Sequence, residues 1–177
     1  MIHQPQYQWL NKMSGPKVMI EAIKLYGTKE IVGSQHSKEI LSWAKELGLE
    51  KTYNADEIAW CGLFAAIVVK RAGFIPVEKP LWARNWNNFG TKQNVAMFGD
   101  ILVFTRPGGG GHVGFYVGED DTCYHVLGGN QSNMVNTTRL LKSRCIGIRR
   151  CEWKISQPKD VRVIKLESKG IISSNEE

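Results

Sequence analysis

Glu57-Ile58-Ala59-Trp60-Cys61-Gly62-Leu63-Phe64-Ala65-Ala66-Ile67-Val68-Val69 is the stretch whose reading decides the fold. A polar lead gives way to an apolar run, and Gly73 stands ready to stop it. The pattern predicts a helix from about Glu57 to Ala72. Leu63 to Val69 is apolar nearly all round, so this helix is expected to be buried and packed on several sides. Its partners must come from the flanking sequence. Upstream, Pro16 opens a helical pattern with Val18, Met19, Ala22, Ile23 and Tyr26 at helix spacing, ended by Gly27. Ser37 can cap a second helix whose inner face is Ile40, Leu41, Trp43, Ala44 and Leu47, with Gly48 as its stop. Residues 49–56 read as a polar linker.

Downstream the period changes. Pro76 and Pro80 break the chain, and Leu81 to Phe89 is a short aromatic segment with Trp82, Trp86 and Phe89. From Asp100 onward short β-type runs alternate with turn signals: Ile101–Phe104, His112–Gly118, Thr122–Leu127, Met134–Arg139 and Cys145–Arg150. Such spacing predicts an antiparallel meander. Helices first and strands after indicate an α+β domain, with N-terminal helices packed on a small antiparallel sheet. Val161 to Leu166 is compatible with one more strand. Residues 1–15 read as a flexible leader, 16–152 as the folded domain, and 153–177 as a C-terminal extension with a disordered end.

The chain has 177 residues, 42% hydrophobic and 23% charged, which suits one globular domain with a real core. Its formal net charge of +6 favours polyanionic partners. The cations are scattered, with Lys70-Arg71 and Arg149-Arg150 the densest pairs, so a nucleic-acid-binding role is not expected. No apolar h-region and no membrane-length run is visible, so synthesis in the cytoplasm without stable membrane association is expected. Of the four cysteines, Cys145 and Cys151 lie six strand steps apart, roughly 20 Å. A disulfide needs Cα atoms within ~7 Å. The thiols are therefore expected to be reduced. Cys123 and His125 share a strand face, but no second ligand pair has zinc spacing, and no metal is expected.

Cys61 falls in the first turn of the buried helix. Free N–H groups and the helix dipole there favour an anion, which should lower the thiol pKa and can hold an oxyanion. Taken alone, a cysteine in an apolar run is more often a packed core residue. His112 follows four glycines and opens an apolar strand, where an imidazole can face a cleft and shuttle a proton. Asn130, after Gly128-Gly129, can hydrogen-bond such an imidazole and fix its tautomer. Its neighbour Gln131 is the alternative third member. Asp120 and Asp121 lie in a turn at the far end of the strand. Cysteine, histidine and asparagine in this order, on a helix start, a strand start and a strand end, form a candidate thiol-catalysis set: Cys61 as nucleophile, His112 as base, Asn130 as orienting residue. Trp60, Trp82 and Trp86 are candidates to wall a substrate cleft, with Arg84, Asn87 and Gln131 offering polar contacts.

Ala-Trp-Cys-Gly-Leu-Phe, Gly99-Asp100-Ile-Leu-Val-Phe, Gly-His112-Val-Gly-Phe-Tyr-Val-Gly and Leu-Gly-Gly-Asn130-Gln together resemble the NlpC/P60 and CHAP superfamily of cysteine peptidases and amidases. The likeness is greatest to a phage- and prophage-associated branch and spans roughly residues 16–150. It implies a papain-like fold and hydrolysis of an amide bond in bacterial peptidoglycan, in the stem peptide or at its junction with the glycan, without cofactor. It also implies an endolysin or a cell-wall-degrading effector, acting as a monomer on the wall or periplasm after delivery by a holin, a phage tail or a secretion apparatus. Other readings remain: a thiol acyltransferase or peptidase with another substrate, and a non-catalytic cell-wall-binding module.

Overall fold

The structure is a computed structural model that describes residue 2 and residues 4–33, 35–153 and 155–173. Among the described residues, three α-helices come first: α1 (Lys17–Lys24), α2 (Lys38–Leu47) and α3 (Cys61–Arg71). Six strands among the described residues follow: β1 (Thr91–Lys92), β2 (Ile101–Thr105), β3 (Gly111–Glu119), β4 (Cys123–Gly128), β5 (Asn136–Leu141) and β6 (Cys145–Arg150). They form one antiparallel sheet in the order β1-β6-β2-β3-β4-β5. The chain is therefore α+β, as expected.

The local signals explain the helix ends. Ser37 accepts the Ile40 N–H and starts α2, and Gly48 stops it in the left-handed conformation at φ 72°. Helix α3 begins at Cys61 itself rather than at Glu57. The lead-in is held in a turn instead: the Tyr53 hydroxyl donates to the Ile58 carbonyl at 3.1 Å, and Trp60 Nε1 donates to Glu30 Oε2 at 3.0 Å. Cys61 through Val69 are all buried in α3, matching its all-round apolar sequence.

The core has two layers. Strand β2 alternates between them: Ile101 and Val103 join the large cluster around α3, and Leu102 and Phe104 join a smaller one with Tyr116, Val126 and Leu140. Phe64 of α3 meets Phe115 of β3 edge to face, with ring centroids 6.0 Å apart. Asp100 ties the sheet together. Its carboxylate takes a two-pronged hydrogen bond from Arg150 at 2.7 and 2.8 Å and accepts the Met97 N–H at 2.8 Å.

Three expectations need correction. The expected leader, 1–15, is not loose over residues 4–15, because Pro5–Lys12 form a 3₁₀ helix with Tyr7 and Leu10 in the main core. Tyr7 is held by a polar relay: its hydroxyl meets His125 Nδ1 at 2.6 Å, His125 Nε2 meets Asp120 Oδ2 at 3.0 Å, and Arg139 Nε donates to the same oxygen at 2.8 Å. Residues 49–56 are more than a linker, since Tyr53 and Asp56 are buried. Val161 to Leu166 form no strand of their own. Val161 and Ile164 are buried, and Lys165 makes a single parallel bridge to Glu119. The end of the C-terminal extension, 174–177, lies outside the described residues. All four cysteines are free thiols. Among the described residues, no helix is long and apolar enough to cross a membrane.

Candidate active site

Cys61 occupies the first helical position of α3, and β3 crosses beside it. The backbone N–H groups of Val113 and Gly62 both stabilise the ionised sulfur, so the thiol lies against the residue that follows His112. The site starts of α3 and β3 are thus brought together, although the sequence separates them widely. Gly62 is needed for close approach. A Cβ there would collide with the Pro80 carbonyl oxygen and lie 2.9 Å from the Leu81 carbonyl. Proline-bounded chain therefore passes directly over the start of α3.

His112 is 1% exposed, and its Nε2 lies 3.0 Å from Gln131 Oε1. This corrects the third member of the set: Gln131, not Asn130, meets the imidazole. The turn after β4 explains why. Asn130 sits in the left-handed region at φ 56°, and its neighbour Gln131 then points back under β4. The Gln131 amide nitrogen donates to the Val126 carbonyl at 3.2 Å, the Asn136 carbonyl at 2.7 Å and Asn136 Oδ1 at 3.1 Å. Three oxygen acceptors around that nitrogen fix the amide's orientation, so the oxygen faces His112. An oxygen facing Nε2 requires Nε2 to carry the hydrogen. The neutral ring then has Nδ1 as its basic atom. Asn130 Oδ1 is buried and makes no hydrogen bond.

Gly128-Gly129 makes this packing possible. A Cβ on Gly128 would stand 2.8 Å from Gln131 Oε1 and 3.0 Å from His112 Nε2. One on Gly129 would stand 2.6 Å from Phe64 Cβ and 2.7 Å from the Trp60 ring.

Electrostatics at the thiol run against the simple helix-start expectation. Burial dominates and pushes the Cys61 thiol up, while the Val113 and Gly62 N–H groups and the Arg106 guanidinium pull the other way without winning. With Cys61 only 4% exposed, burial favours the protonated thiol over the thiolate. Attack then requires a base to take the proton as the bond forms.

The aromatic residues divide. Trp60 and Trp86 are fully buried core residues, and Trp86 Nε1 is spent on the Pro80 carbonyl at 2.9 Å. They do not line a cleft. Trp82 is 71% exposed, beside the segment that crosses α3. Arg84 Nε donates to the Gly110 carbonyl at 2.7 Å and so braces the glycine loop before His112. Asn87 packs against Gly147 of β6. Asp120 belongs to the His125–Arg139 relay at the other end of β3, away from His112. Both His125 nitrogens are taken by Tyr7 and Asp120, which leaves that ring none for a metal shared with Cys123.

Sequence reasoning missed three contributors. Glu30 and Asp56 position the lead-in to Cys61: Glu30 through Trp60, and Asp56 by accepting the Ile31 and Ser37 N–H groups at 3.0 and 2.7 Å. Arg106 acts on the thiol from the turn after β2. None carries a local motif, and each depends on a contact across the fold. Compared with known protein families, curated proteins and solved structures, the chain matches none.

Proposed function

We propose that this protein is a thiol-dependent amide hydrolase of bacterial peptidoglycan, with a papain-like arrangement of Cys61, His112 and Gln131. The observation that carries the reading is the His112–Gln131 hydrogen bond, which leaves Nδ1 as the basic nitrogen of a ring whose chain neighbour, Val113, meets the Cys61 sulfur. In the first step Cys61 Sγ attacks the amide carbonyl carbon while its proton passes to His112 Nδ1. The carbonyl oxygen becomes an oxyanion, and N–H groups at the start of α3 are suited to hold it. Collapse breaks the C–N bond, His112 returns the proton to the departing amine, and a thioester remains on Cys61. Water, deprotonated by His112, then releases the acid and restores the thiol.

The substrate rests on the sequence resemblance, and the net positive charge suits an anionic wall. An endolysin or a delivered cell-wall effector is the setting this implies. Mass spectrometry of purified sacculi after digestion tests the reading: new amine and carboxyl termini at one peptide bond support it, and unchanged muropeptides reject it.

The burial of Cys61 and His112 favours a second reading, a catalytically silent wall-binding module. Iodoacetamide separates the two. A thiol that labels in the folded protein supports the enzyme, whereas one that labels only after denaturation supports the module.

A further inference from the structure

Residues three apart eclipse one another in a 3₁₀ helix, so the short helix Ala83–Asn88 presents its side chains in three columns. Ala83 and Trp86 form the inner column and are buried. Arg84 and Asn87 form the second, one committed to the Gly110 carbonyl and the other packed against Gly147. Trp82, Asn85 and Asn88 form the third, on the solvent side. Trp82 and Asn88 are exposed and Asn85 is half-buried. Beside this column lies a hollow of about 580 Å³ lined by Val77, Glu78, Lys79, Asn85 and Asn88.

The strip is mounted rigidly and next to the candidate site. The Trp82 N–H donates to the Lys79 carbonyl at 3.1 Å, and the Trp82 carbonyl accepts the Asn85 N–H at 2.9 Å. Asn85 Nδ2 donates to the Glu78 and Lys79 carbonyls at 3.3 and 3.2 Å, so the amide offers its oxygen to a ligand. A Cβ on Gly62, the residue after Cys61, would lie within 2.9 Å of both the Pro80 and Leu81 carbonyl oxygens. One on Gly111, the residue before His112, would lie 3.5 Å from Ala83 Cβ. Trp82 stands between Leu81 and Ala83, so its backbone spans the gap between the segments that carry Cys61 and His112.

The chemistry of the strip selects its ligand. An indole face suits a flat, C–H-rich surface. Two amides, one carboxylate and one ammonium suit several hydroxyls, and Glu78 and Lys79 cancel in charge, which favours a neutral molecule. A pyranose ring joins both properties, an apolar C–H face and a rim of hydroxyls. We infer that Trp82, Asn85 and Asn88 form a saccharide-binding strip that holds a glycan strand beside Cys61. That the saccharide is wall glycan rests on the proposed hydrolase reading. The affinity of the strip for a sugar ring does not, and it is testable without turnover.

The test titrates the isotope-labelled, full-length protein with a soluble tetramer of β-1,4-linked N-acetylglucosamine and follows it by NMR. The Trp82 indole N–H resonance, assigned by its absence from Trp82→Ala, and the Asn85 and Asn88 side-chain amide resonances should shift saturably. Trp82→Ala should weaken binding about tenfold or more, and Trp82→Phe should retain most of it. Asn88→Ala should weaken binding about threefold, and it covers the case in which Trp82→Ala folds poorly. Ile75→Ala removes an exposed apolar side chain outside the strip and should change nothing. The absence of a saturable shift below about 10 mM saccharide, or binding by both Trp82→Ala and Asn88→Ala within twofold of wild type, overturns the inference.

Turnover gives the second readout. Wild type should cleave a muropeptide that keeps its disaccharide at a lower KM than the same peptide without sugar. Trp82→Ala should raise KM for the sugar-bearing substrate about tenfold at nearly constant kcat and leave the sugar-free peptide unaffected. Equal KM for both substrates in wild type overturns the inference and spares the hydrolase reading. No cleavage of either substrate or of sacculi removes the hydrolase reading, and the titration then decides alone whether the strip binds saccharide.

Discussion

His112 and Gln131 are joined side chain to side chain, Nε2 to Oε1 at 3.0 Å, with Gly128 directly beneath both atoms. The Gln131 amide is itself locked by Val126 and Asn136, so the bond dictates which ring nitrogen is basic. Gln131→Leu removes that control and should lower amide hydrolysis by about 10²-fold, the scale of a positioned general base. Asn130→Gly keeps the left-handed turn and discards a side chain with no hydrogen bond, and it should retain activity within a few-fold. Kinetics on one substrate preparation compare the two. A larger loss in Asn130→Gly than in Gln131→Leu would reverse the assignment.

The adjacent glycines should fail in different ways. Gly128→Ala places a methyl 2.8 Å from Gln131 Oε1 and 3.0 Å from His112 Nε2, so activity is expected to fall steeply with a smaller loss of thermal stability than in Gly129→Ala. Gly129→Ala drives a methyl into Phe64 and the Trp60 ring, an overpacking of about 1–3 kcal/mol. Thermal melts beside activity assays check the contrast, and a stable Gly129→Ala with an unstable Gly128→Ala would contradict it.

Thiol ionisation carries a third expectation. Burial outweighs the Val113 and Gly62 N–H groups and Arg106, so the Cys61 thiol is held above the usual cysteine range. Iodoacetamide labelling of Cys61 should therefore keep rising as pH passes about 8.5, the value of a free cysteine. A plateau already reached by neutral pH would mean a resting thiolate–imidazolium pair instead.

Much of the fold was legible in the sequence because its signals were local. Ser37 and Gly48 bound α2 where cap chemistry places them, and β2 to β6 fall near the short β-type runs bounded by turn signals. Cys61 and His112 were legible because a helix start and a strand start each have a signature. Gln131 against Asn130 was not, since left-handed φ at Asn130 decides which neighbour faces the ring. Trp60 and Trp86 read as cleft walls because aromatic character says nothing about depth. The 3₁₀ helix Pro5–Lys12 was hidden because Tyr7 and Leu10 lack an α-helical stripe, and their burial depends on partners as far away as His125.

Stability should depend on pH through the relay that fastens this N-terminal segment. Burial holds the His125 imidazole below its ordinary value against the pull of Asp120, with the Tyr7 hydroxyl and the Arg139 guanidinium as its other polar neighbours. The unfolded state then binds more protons than the folded state just below about pH 6.5, so stability is full above that pH and declines as pH falls through it. Burial alone would raise the Asp120 carboxyl. Arg139, the Thr122 and Cys123 N–H groups and His125 overcome it and hold the carboxyl well below its usual range, which adds a second loss under about pH 4. Urea denaturation at pH 7.5, 6 and 5 should show this decline in wild type and a flatter one in His125→Gln. Asp120→Asn should cost about 3–5 kcal/mol at neutral pH, because Arg139 is left buried without its partner. Parallel pH curves for wild type and His125→Gln would contradict the relay.

The most direct measurement is release of new amines from purified sacculi by wild type and by Cys61→Ala at matched concentration, with a thermal melt of each. The result expected is release by wild type, a fall of at least about 10³-fold in Cys61→Ala, and nearly equal melting temperatures. Undiminished release by Cys61→Ala would contradict the assignment of Cys61 as the nucleophile.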